Sequence, residues 1–221
     1  MNMSRIFARL LVIALLGFAT AARAADPTPD EVLRQTTDEV LATIKQDKDI
    51  QAGDKMKSYA LVETKIVPHF DFVRMTRLAL GRNWTKATPE QQTQVVDAFR
   101  NLLVRTYSIA LTRFRNQTIT YKAWNGSPTD ATTNVQSVVS DGSNRAIPLD
   151  YQMTHADGSW KVFDIKVDGI SLVTNYRSDF TDRVTAGGIE GLIKDLQDKA
   201  KAAETHPAAG KPSEDKSGKK S

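Results

Sequence analysis

Apolar residues recur along this chain with two different periods, and the places where the period changes divide it. Up to about residue 115 the spacing is near 3.6. Thr28-Pro29-Asp30-Glu31 forms a capping box with proline at the first helical position, and Val32, Leu33, Thr36, Val40, Leu41 and Ile44 follow on one face, predicting a first helix. A second helical segment, about Asp54 to Val67, is expected to stop at Pro68, because proline biases the preceding residue away from helical geometry. Asp71 can cap a short helix through Leu80, with Gly81 as its left-handed C-cap. Thr88-Pro89-Glu90-Gln91 opens the longest helix, running to about Arg115. Its stripe of Val95, Phe99, Leu102, Leu103, Thr106, Tyr107, Ala110, Leu111 and Phe114 is wider than one neighbouring helix requires.

The cover for that stripe follows, where the period becomes two. Ile119, Tyr121 and Ala123 alternate before Asn125-Gly126; Thr133, Val135, Ser137 and Val139 alternate before Asp141-Gly142. Ile147, Leu149, Tyr151 and Met153 precede Asp157-Gly158, and Phe163, Ile165 and Val167 precede Asp168-Gly169. Four strands joined by such dipeptides predict an antiparallel meander. Pro148 has no amide donor, so its strand is expected at an edge or with a bulge there. Trp160 and Val162 fall on the face opposite Phe163 and Ile165, which predicts a last strand partly buried on both sides. Helical spacing then returns over Ser171 to Arg183 and Gly188 to Lys201, with Leu172, Val173, Tyr176 and Phe180 on the first and Ile189, Leu192, Ile193 and Leu196 on the second. The fold class is α+β: helices packed on a curved four-stranded antiparallel sheet. The order is similar to the cone-like architecture of the nuclear-transport-factor-2 type, with extra helices.

The two ends read differently from this middle. Arg5 and Arg9 precede a charge-free apolar run from Leu10 to Ala19, and Ala22-Arg23-Ala24 supplies small residues for cleavage, so 1–24 is expected to be a secretory signal peptide. The run is short of the roughly 20 residues that span a bilayer. A single α+β domain with a large apolar interior is then expected over 25–204, and a disordered tail over 205–221, where no apolar side chain exceeds alanine. Loss of Arg5, Arg9 and Arg23 with no acid lowers the formal charge from +4 to +1, which removes the argument for nucleic acid. With no cysteine, neither disulfides nor thiolate metal sites are available, and the core alone must hold the fold.

Hydrolase, metalloprotease, phosphate-loop and dinucleotide motifs are missing. His206 lies in the tail and His155 beside a turn. His69 with Asp71 is a candidate base and orienter, but Asp71 is better explained as a helix cap and His69 as a partly buried polar hinge after proline. An isomerase or dehydratase on a curved sheet is a second enzymatic reading; it needs a polar group inside, and Tyr107, Tyr121 and Tyr151 point inward while Asp150 and Asp164 point away. No catalytic residue and no metal ligand is assigned. Periodicity cannot tell a solid core from an apolar cavity, since both draw on the same residue types.

Several strings decide more. Pro68-His69-Phe70-Asp71-Phe72, Leu80-Gly81-x-x-Trp84, Thr88-Pro89-Glu90-Gln91, Arg105-Thr106-Tyr107, Ile147-Pro148-Leu149-Asp150-Tyr151, Trp160-Lys161-Val162-Phe163-Asp164, Gly169-Ile170-Ser171-Leu172-Val173, Asn175-Tyr176-Arg177-Ser178-Asp179-Phe180 and Gly187-Gly188-Ile189 stand in one order across the mature domain. Together they resemble the MlaC family, also called toluene-tolerance proteins. The resemblance implies a monomeric, non-catalytic periplasmic carrier with phospholipid as cargo and no cofactor, maintaining outer-membrane lipid asymmetry. It implies an apolar cavity and two partners: an inner-membrane ABC transporter with an MCE-domain subunit, and an outer-membrane lipoprotein associated with a porin. Stripe position nominates Leu78, Phe99, Leu103, Tyr107, Leu111, Ile119, Val135, Val139, Ile147, Tyr151, Ile165, Val167, Leu172, Val173 and Tyr176 as acyl-chain contacts. Arg105 and Arg177, beside inward aromatics, are headgroup candidates, with an ion pair to a carboxylate as the alternative for each.

Overall fold

A computed structural model describes residues 26–111, 117–140 and 146–205, the side chains of Ala110, Leu111 and Thr205 excepted. The expected signal peptide (1–24), all but the first residue of the expected tail (205–221) and the Asp141-Gly142 turn lie outside the described residues. Helix α1 (Pro29–Gln46) starts with the Glu31 carboxylate accepting from the Thr28 amide at 2.8 Å. Asp47 then caps a short α2 (Lys48–Ala52), and Asp54 caps α3 (Lys55–Leu61). The expected stop at Pro68 does not occur as such. A π-turn over Val62–Ile66 leads into a 3-10 turn, Val67–His69, and Val67 keeps helical angles. Proline is tolerated because it sits in the first turn of the 3-10 segment, where an amide would have no intrahelical acceptor.

Phe70 is extended and bridges in parallel to Val162 of the sheet, and the Asp71 amide donates to the Val162 carbonyl at 2.9 Å. The Asp71 carboxylate accepts from the Arg74 amide at 2.8 Å and so starts α4 (Phe72–Leu80). Gly81 ends it at φ 55, ψ −124, a positive-φ conformation that is not left-handed α but still favours glycine. A 3-10 segment (Gly81–Lys86) leads to α5 (Pro89–Leu111), opened by the reciprocal box of the Thr88 amide on Gln91 and the Gln91 amide on Thr88.

The sheet is antiparallel and follows chain order: β1 (Thr118–Tyr121), β2 (Thr132–Ser140), β3 (Ala146–Ala156), β4 (Ser159–Val167) and β5 (Ile170–Ser171). The fifth strand exceeds the four expected; it is two residues long and forms because Asp168-Gly169, both at positive φ, makes a tight hairpin rather than a helix start. Residues 122–131 join β1 to β2 as a loop, so Asn125-Gly126 is not a two-residue hairpin. Pro148 lies on central β3, not at an edge. Its carbonyl accepts from the Asp168 amide, so its donor-less side faces the place where β4 is already turning away.

Register corrects a second reading. Gln152 pairs with Asp164 and Met153 with Val162, leaving Phe163 as the extra residue of a bulge. Side-chain parity therefore flips at Phe163. Trp160 and Val162 join Ile165 and Val167 on one face, continuous with Met153, Tyr151 and Leu149 of β3 and with Val135 and Val139 of β2. The other face carries polar ladders such as Gln136 to Asp150 and Gln152 to Asn134.

Helix α6 (Leu172–Thr205) contains a break at Gly188, φ 70 and ψ −170. Asp179 to Lys199 at 2.9 Å and Arg183 to Asp195 at 3.0 Å join its halves side by side, so the two helices expected around Gly187-Gly188 form a hairpin. Asp164, expected to point away from the interior, is buried. Its carboxylate accepts from the Ser171 hydroxyl at 2.6 Å and the Val173 amide at 3.0 Å, capping α6 from the sheet.

Three apolar clusters result. One lies among α4, α5 and α6 around Met75, Phe99 and Phe180; one joins the start of α1 to the sheet through Val32, Leu33, Val135 and Val162; one packs the end of α1 on α2 and α3.

Candidate functional site

Where these clusters meet, the interior is not filled. A cavity of about 390 Å³ lies between α5 and the apolar face of the sheet. Helix α5 contributes Leu103, Val104, Tyr107 and Ser108, two adjacent pairs one turn apart; the sheet contributes Leu149, Tyr151, Ile165 and Val167. The π-turn and 3-10 turn add Val62, Ile66 and Val67, α4 adds Phe72 and Met75 with Phe70 before it, and Leu172 closes the start of α6. The wall is thus overwhelmingly hydrocarbon. Tyr107 and Val167 line it yet keep 39% and 42% of their surface exposed, which marks the opening at the end of α5 and the end of β4.

The ionisable groups in this wall are phenols. Burial raises the pKa of both Tyr107 and Tyr151, so both stay protonated at neutral pH. Tyr151 stacks on Tyr121, whose hydroxyl is 2.6 Å from that of Thr37. Ser108 is fully buried and its hydroxyl has no hydrogen-bond partner among the described residues. His69 and Asp71 do not form a catalytic pair here. Asp71 is occupied as a cap, and His69, half-buried, has its pKa lowered by desolvation first, with Glu39 opposing.

Of the residues nominated from stripe position, Leu103, Tyr107, Tyr151, Ile165, Val167 and Leu172 come together around the cavity. The others do not. Phe99 and Tyr176 pack edge to face with each other and with Phe180, at 4.8 to 5.8 Å between ring centres, and Val173 joins them in solid core. Ile119 and Val135 belong to the cluster beneath α1. Val139 and Ile147 pair across β2 and β3 on the cavity's face, half-buried, but beyond its wall. Leu78 is 38% exposed on the outside of α4 because Met75 and Ala79 take the inward positions. The side chain of Leu111 lies outside the described residues. Arg105 pairs with Glu204 and lies over the Tyr59 ring, and Arg177 lies over Gly81; neither is in the cavity wall.

The stripe argument missed Phe72 on α4, Val104 and Ser108 on α5 and Leu149 on β3, and also the wall residues whose backbone is irregular. Val62, Ile66 and Val67 reach the cavity through a π-turn that no helical period describes. Phe70 and Met75 occupy the two positions of a hydrophobic staple about the Asp71 cap, a signal present in the sequence.

Comparison with known proteins agrees with this geometry. The family model described as MlaC protein matches residues 34–198. The chain belongs to the MlaC family. Among relatives, toluene tolerance protein ttg2D of Pseudomonas putida is 28% identical over 216 residues, covering 93% of this chain and 98% of that one. The intermembrane phospholipid transport system binding protein MlaC of Haemophilus influenzae is 22% identical over 195 residues, covering 86% and 91%. A solved phospholipid-binding protein from Ralstonia solanacearum, in complex with a phospholipid, superposes on this MlaC-family chain with a TM-score of 0.72 at 40% identity, covering 78% of this chain and 96% of that one. Among the described residues no helix is long and apolar enough to cross a membrane, and no group of His, Cys, Asp or Glu could hold a metal ion.

Proposed function

We propose that this chain is a non-catalytic phospholipid carrier of the periplasm, exported by a cleaved signal peptide and acting as a monomer. The observation that carries the reading is the apolar cavity between α5 and the sheet, open at Tyr107 and Val167. Its volume falls in the roughly 300–1,000 Å³ range of ligand sites, and its lining offers hydrocarbon to a chain and protonated phenols to a polar group. The phospholipid in the related Ralstonia protein supports the same cargo. On this reading Leu103, Tyr107, Tyr151, Ile165, Val167 and Leu172 contact acyl chain, on a scaffold of nuclear-transport-factor-2 type enlarged by helices.

The energetics follow from burial. At about 0.8 kcal/mol per methylene, two chains with roughly 30 methylenes lose on the order of 25 kcal/mol on entering water. Escape into solvent is therefore negligible, while transfer from one apolar environment to another is close to neutral. Direction comes from partners: the membership in the MlaC family supports an inner-membrane ABC transporter with an MCE-domain subunit and an outer-membrane lipoprotein associated with a porin, the exchange between them maintaining lipid asymmetry. Native mass spectrometry of protein released gently from the periplasm tests the cargo. A bound mass matching phospholipid, recovered in solvent extract, is expected; protein that is uniformly empty would overturn the reading.

A further inference from the structure

Helix α4 has two working faces, and the cavity uses only one. Phe72 and Met75 line the cavity, while Val73, Arg77 and Leu78 point outward, with Val73 56% and Leu78 38% exposed. Exposed Arg82 follows Gly81 directly, and the guanidinium of exposed Arg177, from α6, lies over Gly81 itself. A side-chain carbon at position 81 would come within 3.1 Å of it. Gly81 is already at positive φ, so the same glycine ends α4 and makes room for this arginine.

Exposed Arg77 and Arg82 thus stand in the last turn of α4 and just after its end, where Arg177 also lies. Among the described residues none of the three has a carboxylate within ion-pair distance, whereas Arg34, Arg100, Arg105 and Arg183 each do. Three uncompensated guanidinium groups beside two exposed aliphatic side chains have the composition of an interface centre, where arginine is enriched and its planar fork matches carboxylate.

We propose that the outer face of α4, from Val73 to Arg82 with Arg177, is the docking surface for a protein partner that presents acidic side chains around an apolar contact. A bilayer fits this face less well. Each arginine near an anionic surface contributes only about 1 kcal/mol, and α4 itself stands between this face and the cavity, whose opening is on α5 and β4. A protein gripping the back of a cavity wall leaves that opening free for lipid. In this respect the inference rests on the carrier reading.

The test places a photoreactive benzophenone amino acid at position 78 of the full chain, in the cells that produce it, with Arg77→Glu/Arg177→Glu and Arg77→Gln/Arg177→Gln versions in parallel. Native mass spectrometry reads the lipid occupancy of each version. The expected result is a cross-link to one protein, identified by mass spectrometry, with an acidic contact surface. Its purified form should bind the charge-reversed version at least about tenfold more weakly and lose affinity as salt rises, while lipid occupancy is unchanged. Cosedimentation with vesicles of phosphatidylethanolamine and phosphatidylglycerol, abolished by charge reversal and without a protein cross-link, would overturn the proposal in favour of a membrane surface. Absence of both would overturn it outright. An empty wild-type protein that still cross-links would instead count against the cargo and leave the docking face standing.

Discussion

Replacing Leu103 by tryptophan puts the cavity itself under test. Leu103 is 5% exposed, belongs to the cluster among α4, α5 and α6, and faces the 390 Å³ void. Extra bulk in a filled core costs roughly 1–3 kcal/mol, but here the indole has space to enter and apolar surface to cover. Leu103→Trp is therefore expected to change stability by no more than about 1 kcal/mol, or about 4 °C in Tm for a domain of this size. Lipid fares differently. An indole that takes the place of about four methylenes removes about 3 kcal/mol of burial, which weakens binding roughly two-hundredfold. Native mass spectrometry at matched concentration reads occupancy, and thermal unfolding reads the fold. The matched control is Leu78→Trp, at a position that the sequence pattern places on the wall and the structure places outside it; its occupancy should equal the wild type. A folded Leu103→Trp protein with full occupancy, or a Leu78→Trp protein that is empty, would refute the assignment of the wall.

Asp164→Ala removes the acceptor of the Ser171 hydroxyl and the buried Val173 amide, so it should cost about 2–3 kcal/mol in urea unfolding, with Asp164→Asn retaining part of the cap. Gly188→Ala meets no backbone or core atom within 3.4 Å of the added carbon; its cost is the φ 70, ψ −170 conformation alone, about 1–3 kcal/mol, read as a lower Tm. His69 has a folded-state pKa below its ordinary 6.5, chiefly from burial. The unfolded chain therefore binds the proton more readily, and stability should fall as pH drops through 6.5 toward the lower folded value. In His69→Gln that part of the pH dependence should vanish; an unchanged profile would show that His69 does not carry it.

How much of this was legible depended on whether the backbone was regular. The capping residues Thr88, Gln91 and Asp71 and the turns at Asp157-Gly158 and Asp168-Gly169 stand where their chemistry placed them. Period two placed Tyr151, Ile165 and Val167 on the inner face correctly. It failed at Phe163, because a bulge adds one residue without any compositional mark and reverses parity for Trp160 and Val162. The stripe on α5 contained both Phe99 and Leu103, and nothing in their spacing says that Phe99 meets Phe180 while Leu103 meets a void. Empty volume is a property of how three clusters fail to close on one another, and no single element carries it. Val62, Ile66 and Val67 were illegible for a related reason, since the π-turn that aims them follows neither period.

The central claim is that acyl chains lie between α5 and the inner face of β3 and β4. Loading the full chain with a phosphatidylcholine that bears a photoactivatable diazirine in one chain, and locating the adducts by peptide mass spectrometry, tests it directly. Adducts on the peptides containing Leu103, Tyr107, Tyr151 and Ile165 are predicted, with Val135 and Phe99 unlabelled. Labelling confined to the outer surface, at Val73 or Leu78, would contradict it.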